Sequence, residues 1–145
     1  MKIAIVKASQ VRPLRSLVLR PNLPIETTYY KQDNHIDTIH LASIINKEII
    51  SIGTFYSENY SNLKSKNGYR LRGMATHPEF RRNSAATKLM KEAFILLKHK
   101  NCDILWCNAR LIALDFYKSL GFNINGEEFN IKDIGPHFKM WKSLV

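Results

Sequence analysis

Residues 69–97 constrain this chain most tightly. They read YRLRGMATHPEFRRNSAATKLMKEAFILL, an extended run, a proline turn, a basic loop and a helix in unbroken succession. The helix is set by its apolar stripe. Ala86, Leu89, Met90, Ala93, Phe94 and Leu97 fall on one face, with Lys88, Lys91 and Glu92 off it. That stripe reads as core. Asn83 or Ser84 can cap the helix, leaving its first amides free to point at an anion. A loop of backbone N–H groups opening a helix is a device for holding a polyanion, and Arg81 and Arg82 add fixed charge beside it. Gly73, inside the extended run, suggests a bulge.

A second segment, LWCNARLIALDFYKSLGF over residues 105–122, adds a strand, Asn108 and a short helix ending in Gly121-Phe122. In order and spacing the two segments resemble the GNAT N-acetyltransferase superfamily. That family carries Arg/Gln-x-x-Gly-x-Gly/Ala after a strand and before a helix, then Phe-Tyr-x-x-x-Gly-Phe on a later helix. The first motif stands here as Arg81-Arg82-Asn83-Ser84-Ala85-Ala86, and the second as Phe116-Tyr117-Lys118-Ser119-Leu120-Gly121-Phe122. Two positions depart from the pattern: Ser84 replaces the middle Gly, and Arg82 stands where the family often has another. Small residues there let backbone approach a pyrophosphate closely.

The resemblance implies an α+β fold, a single N-acetyltransferase domain over residues 1–145. Its sheet is central, mixed and mostly antiparallel, flanked by helices, with central strands that splay. It implies acetyl transfer from acetyl-CoA to a primary amine by direct attack, without a metal. The acceptor would be a small-molecule or peptide amine. By motif position the backbones of Met74, Ala75 and Thr76 meet the pantetheine and the acyl oxygen, the loop and helix start (Arg81, Arg82, Asn83, Ser84, Ala85, Ala86, Thr87) hold the pyrophosphate, and Asn108 contacts CoA. Tyr117 protonates the departing thiolate, since a phenol with a pKa of about 10 keeps its proton at neutral pH. Without the resemblance, Tyr117 reads as a core aromatic at helical spacing and Asn108 as a turn residue. No base is assigned. The central strand offers Tyr69, Arg70, Leu71 and Arg72 where many family members place a carboxylate, which leaves Glu127, Glu128, His137 or water, with surface roles the default for the carboxylates.

The net charge of +10 fits an anionic cofactor, but it also fits a nucleic-acid-binding module. The positive residues spread from Lys2 to Lys142 with no zinc-finger spacing or RNA-binding aromatic motif, so a solvated basic surface is favoured over a nucleic-acid site. A CoA-binding regulatory or catalytically weak member of the same fold is the other alternative, motivated by Arg82 and Ser84. Cys102 and Cys107, without a second pair or His ligands nearby, read as reduced and partly buried thiols. No run of eighteen apolar residues supports a membrane span, and MKIAIVKAS lacks a signal peptide's long apolar region, so a cytoplasmic location is expected.

The remaining elements follow from periodicity. A first strand is predicted over 2–8, a helix capped by Ser9 to about Leu19, a turn over 33–37, and a hairpin of 38–45 and 49–56 about Asn46-Lys47. Residues 23–30 are hard to read, and 57–67 form a polar connection expected to be mobile. A terminal strand pair over 123–130 and 137–141, able to pair between subunits as a homodimer, completes the chain.

Overall fold

The computed structural model describes residues 1–145. In chain order the elements are β1 (Lys2–Val6), α1 (Ala8–Leu14), β2 (Ile39–Ile45), β3 (Glu48–Ser57), β4 (Tyr69–Thr76), α2 (Ala85–His99), β5 (Ile104–Arg110), α3 (Leu114–Ser119), β6 (Asn123–Ile131) and β7 (Gly135–Ser143). The strands form a seven-stranded sheet in the order β1-β2-β3-β4-β5-β7-β6. Parallel pairing of β4 with β5 makes the sheet mixed, while β1–β2, β2–β3, β5–β7 and β6–β7 are antiparallel. The α+β class expected from the sequence is the one observed. No helix is long and apolar enough to cross a membrane.

The chain divides into two compact units. The first comprises Met1–Tyr56 with Arg72–Leu96, and the second Ser57–Leu71 with Leu97–Val145. In the first unit Val11 and Leu14 of α1, Ala42 of β2, Ile52 of β3 and Ala75 of β4 form one apolar cluster. Leu89, Met90 and Ala93 of α2 are buried as its stripe predicts, and Ser43 Oγ donates to the Ala85 carbonyl at 2.7 Å at the helix start. In the second unit Leu105, Cys107 and Met140 are buried along β5 and β7, and Tyr60 stacks on Trp106 with ring centroids 5.1 Å apart.

Three elements differ from expectation. The first helix begins at Ala8, where the Lys7 amide donates to Gln10 Oε1 at 2.8 Å, and from Arg15 to Leu19 it widens into a π turn. The Arg20 amide bonds the Arg15 carbonyl at 3.0 Å, five residues back, a spacing that apolar periodicity does not reveal. Residues 57–67 are tied down rather than free. Asp103 accepts from the Lys66 and Asn67 amides at 2.7 and 3.3 Å, and Trp106 Nε1 donates to the Glu58 carbonyl at 2.9 Å. The terminal strands are longer than predicted, and β7 takes in Gly135 and Pro136 because β6 pairs with both.

Candidate active site

The central strand carries the bulge its glycine suggested. Gly73 has φ +69°, the left-handed region that side chains disfavour. The Arg72 guanidinium lies 4.0 Å from the Tyr30 ring centroid, and a Cβ at Gly73 would meet the same ring at 3.1 Å. Two consecutive residues thus face one side, where regular strand alternation allows one. Pairing of β4 with β5 runs from Tyr69↔Leu105 to Leu71↔Cys107 and stops there, so Met74, Ala75 and Thr76 have no ladder partner in β5. Ser51 anchors that end of β4, with Oγ 3.2 Å from the Ala75 carbonyl and 3.0 Å from Thr76 Oγ1.

After β4 the chain turns at once toward α2. The His77 amide donates to the Ile50 carbonyl at 2.7 Å, and His77 Nδ1 accepts the Glu79 amide at 3.2 Å to cap a 3₁₀ turn over Pro78–Phe80. Arg82 and Ser84 then adopt φ +70° and +61°. These are the two positions where the family pattern has glycine, and the structure supplies the reason: both are left-handed. The Ser84 carbonyl accepts from the Lys88 amide at 2.9 Å, so Ser84 opens the helix. The amides of Ala85, Ala86 and Thr87 precede that first helical bond and form the positive end of the helix. Arg81, Arg82, Asn83 and Ser84 are all exposed.

In the second unit, Asn108 lies on β5 and its Oδ1 is buried with no hydrogen-bond partner. Such an orphaned acceptor asks for a donor the chain does not supply. Tyr117 is buried on α3 with its ring edge-on to Phe116 and Phe122, 5.2 and 5.3 Å between centroids. Burial pushes its phenol well above the usual value, and neighbouring Cys107 adds to the rise against the opposing charge of Arg110. Burial likewise pushes the Cys107 thiol up to about 12 and Cys102 up to about 11, so neither is a nucleophile at neutral pH. His137 sits inside β7, buried, with Nδ1 2.7 Å from the Gly135 carbonyl and its ring stacked on Phe129. Glu127 and Glu128 are exposed where the β6–β7 register is irregular.

Sequence reading missed a buried polar network in the first unit. Arg15, 0% exposed, grips Asp33 through two bonds of 2.8 and 2.9 Å and also donates to the Thr28 carbonyl and Thr54 Oγ1, each at 2.7 Å. His40 Nδ1 lies 2.8 Å from Thr54 Oγ1, and His40 Nε2 lies 2.9 Å from the Asp33 carbonyl. A carbonyl only accepts, so Nε2 carries a proton and donates it to the Asp33 carbonyl, while Nδ1 pairs with the Thr54 hydroxyl. Burial pushes His40 below its ordinary value, and the charges of Arg15 and Arg12 add to that against the upward pull of Asp33. Burial alone would raise Asp33, but the Arg15 hydrogen bond, the Tyr30 amide and the charges of Arg15 and His40 bring it below the usual carboxylate range. The network touches the bulge, since a Cβ at Gly73 would stand 3.1 Å from Arg15 Nε and 3.4 Å from the Tyr30 hydroxyl. Its only signals in the sequence were the Tyr29-Tyr30 pair, in the stretch that periodicity left unread, and Asp33, which opens the predicted turn over 33–37.

Residues 9–122 match the model of the acetyltransferase (GNAT) family. The chain is 33% identical over 144 residues to the "uncharacterized N-acetyltransferase YitI" of Bacillus subtilis strain 168, covering 99% of this chain and 97% of that protein. Among solved structures it is similar to an aminoglycoside 6′-N-acetyltransferase complexed with coenzyme A, with TM-score 0.79, 14% identity, and coverage of 100% of this chain and 98% of that one. It is also similar to the aminoglycoside 6′-N-acetyltransferase from Enterococcus faecium, with TM-score 0.75, 14% identity and the same coverages. At such identity these two likenesses speak for the fold, whereas the family match and the Bacillus relative speak for descent. By its bulged β4, its left-handed loop into α2 and these matches, the chain belongs to the GNAT acetyltransferase family.

Proposed function

We propose that the chain works as one domain over residues 1–145 and transfers an acetyl group from acetyl-CoA directly to a primary amine. The observation that carries this reading is the β4–α2 segment. It offers β4 backbone beyond the last β5 pair, then two left-handed residues, then three first-turn amides beside two exposed arginines. That order suits an extended pantetheine arm ending in a pyrophosphate. The amides of Ala85, Ala86 and Thr87, with Arg81, Arg82, Asn83 and Ser84, would hold the phosphates. The backbones of Met74 and Thr76 would pair with the arm, and the Met74 or Ala75 N–H would donate to the acyl oxygen as negative charge grows there. Asn108, with its orphaned Oδ1, would accept a donor from the same cofactor.

Acetyl-CoA supplies an activated acyl carbon and a thiolate leaving group. In the transfer the amine nitrogen bonds to that carbon, the carbon–sulfur bond breaks, the amine gives up a proton and the sulfur gains one. Tyr117 is the donor on the sulfur side. Its raised pKa keeps it protonated, yet it makes full transfer to a thiolate of pKa about 8.5 uphill. Tyr117 therefore acts chiefly as a hydrogen-bond donor that stabilises sulfur while the bond breaks. On the amine side His137 is the candidate that fits best, because its Nδ1 engages the Gly135 carbonyl and leaves Nε2 as the basic nitrogen. Glu127 and Glu128, both exposed, are left to solvent.

The test is a thermal-shift titration with CoA and acetyl-CoA, followed by acetyl-CoA consumption across an amine panel. A concentration-dependent rise in Tm and thiol release with at least one amine are expected. No shift at millimolar CoA in low salt would remove the reading.

A further inference from the structure

Two guanidinium groups of the first unit, Arg12 and Arg15, meet one carboxylate, and a third, Arg72, stacks on the Tyr30 ring beside Gly73. Arg15 consumes Asp33 through its paired bonds, and Arg12 reaches the same Asp33 oxygen only at 3.5 Å. Arg72 has no carboxylate partner and rests on Tyr30 at 4.0 Å, sharing that ring with Arg15 at 3.8 Å, while Arg12 lies 4.0 Å over Tyr29. Three guanidiniums against one carboxylate leave this group of side chains with an excess of positive charge. The Nε atoms of Arg12 and Arg15 are also buried with no hydrogen-bond partner. Guanidiniums stacked on tyrosine rings lose little further freedom on binding, and their planar fork matches the paired oxygens of a carboxylate or phosphate. Arg72 adjoins Gly73 and stands two residues before Met74, the proposed acyl-oxygen donor.

From this we infer that the acceptor is an amine that itself carries an oxyanion, a carboxylate or a phosphate, and that Arg72 holds that group while the amine faces the acyl carbon. The inference rests on the acetyl-transfer reading above. It separates this chain from structural neighbours named for aminoglycosides, because an arginine without a carboxylate partner repels a polycationic acceptor.

The test uses matched amines with the full chain: amino acids against their decarboxylated amines, amino phosphates against the corresponding amino alcohols, and polyamines and aminoglycosides as cationic controls. Wild type should turn over at least one oxyanion-bearing amine with kcat/KM about 100-fold above its neutral counterpart, the scale of a charged hydrogen-bonded contact. The responding arm tells carboxylate from phosphate. Arg72→Gln should cut kcat/KM for the anionic amine roughly 10- to 100-fold, mainly through KM, and change that of the neutral counterpart less than about 3-fold, with Arg72→Lys between the two. CoA affinity by calorimetry and the unfolding midpoint of each variant should match wild type. Faster turnover of polycations, equal losses on both members of a pair, or CoA binding with no oxyanion-bearing amine bound or acetylated would overturn the inference alone. Failure of wild type to bind CoA would overturn the acetyl-transfer reading and this inference with it.

Discussion

Replacing Ser84 by glycine should make the protein more stable, against the usual direction for glycine. Ser84 opens α2 with φ +61°, where an L side chain presses on its own backbone at a cost of about 1–2 kcal/mol. Glycine removes that strain but loosens the unfolded chain by about 0.4–1 kcal/mol. It also gives up only a few tenths of a kcal/mol as a helix cap relative to serine. The net gain is roughly 0.5–1 kcal/mol. With about 2.1 cal/mol/K of unfolding entropy per residue over 145 residues, 1 kcal/mol corresponds to roughly 3 °C, so Tm should rise by about 2–3 °C. Calorimetry and urea unfolding on purified wild type and Ser84→Gly measure this directly, and the urea midpoint should rise with an unchanged slope. CoA affinity should hold or improve, since glycine leaves more room for phosphate. A lower Tm in the variant would refute the strain argument, and a higher Tm with sharply weaker CoA binding would refute the placement of the pyrophosphate.

The converse holds at Gly73: Gly73→Ala should destabilise by about 1–3 kcal/mol in urea unfolding, because its Cβ would enter at φ +69° and 3.1 Å from both Arg15 Nε and Tyr30. Asp33→Asn strips the buried Arg15 of its counter-charge and should cost about 3–5 kcal/mol, far more than a surface pair, as read by the urea midpoint. Stability should decline as pH falls below about 6.5, because His40 and Asp33 both sit below their ordinary values in the fold, so the unfolded chain takes up protons first. His40 acts in the upper part of that window and Asp33 only below about 4. His40→Gln should flatten the slope between about pH 6.5 and 5, and an unchanged slope would exclude His40 as its source. Tyr117→Phe should leave folding and CoA affinity nearly intact and slow the chemical step roughly 10²-fold in pre-steady-state kinetics, whereas an unchanged rate would make Tyr117 a packing residue.

The sequence by itself determined the elements whose cause is local. The stripe from Ala86 to Leu97 made α2 because burying it needs nothing beyond one apolar face, and Gly73 announced a bulge because an unbranched backbone position in a strand has few other uses. Motif order was enough to place the loop before α2 and Tyr117 on α3. Only the tertiary structure decided that Arg82 and Ser84 are left-handed, since serine and arginine carry no preference for that region and the neighbouring chain imposes it. Only there, too, did Arg15 become a core residue. An arginine on an amphipathic helix reads as solvated, and its burial depends on Asp33, Thr28 and Thr54 arriving from 13 to 39 residues away. Periodicity records which face of one element is apolar, whereas a buried ion network is specified by partners that meet only when separate elements pack.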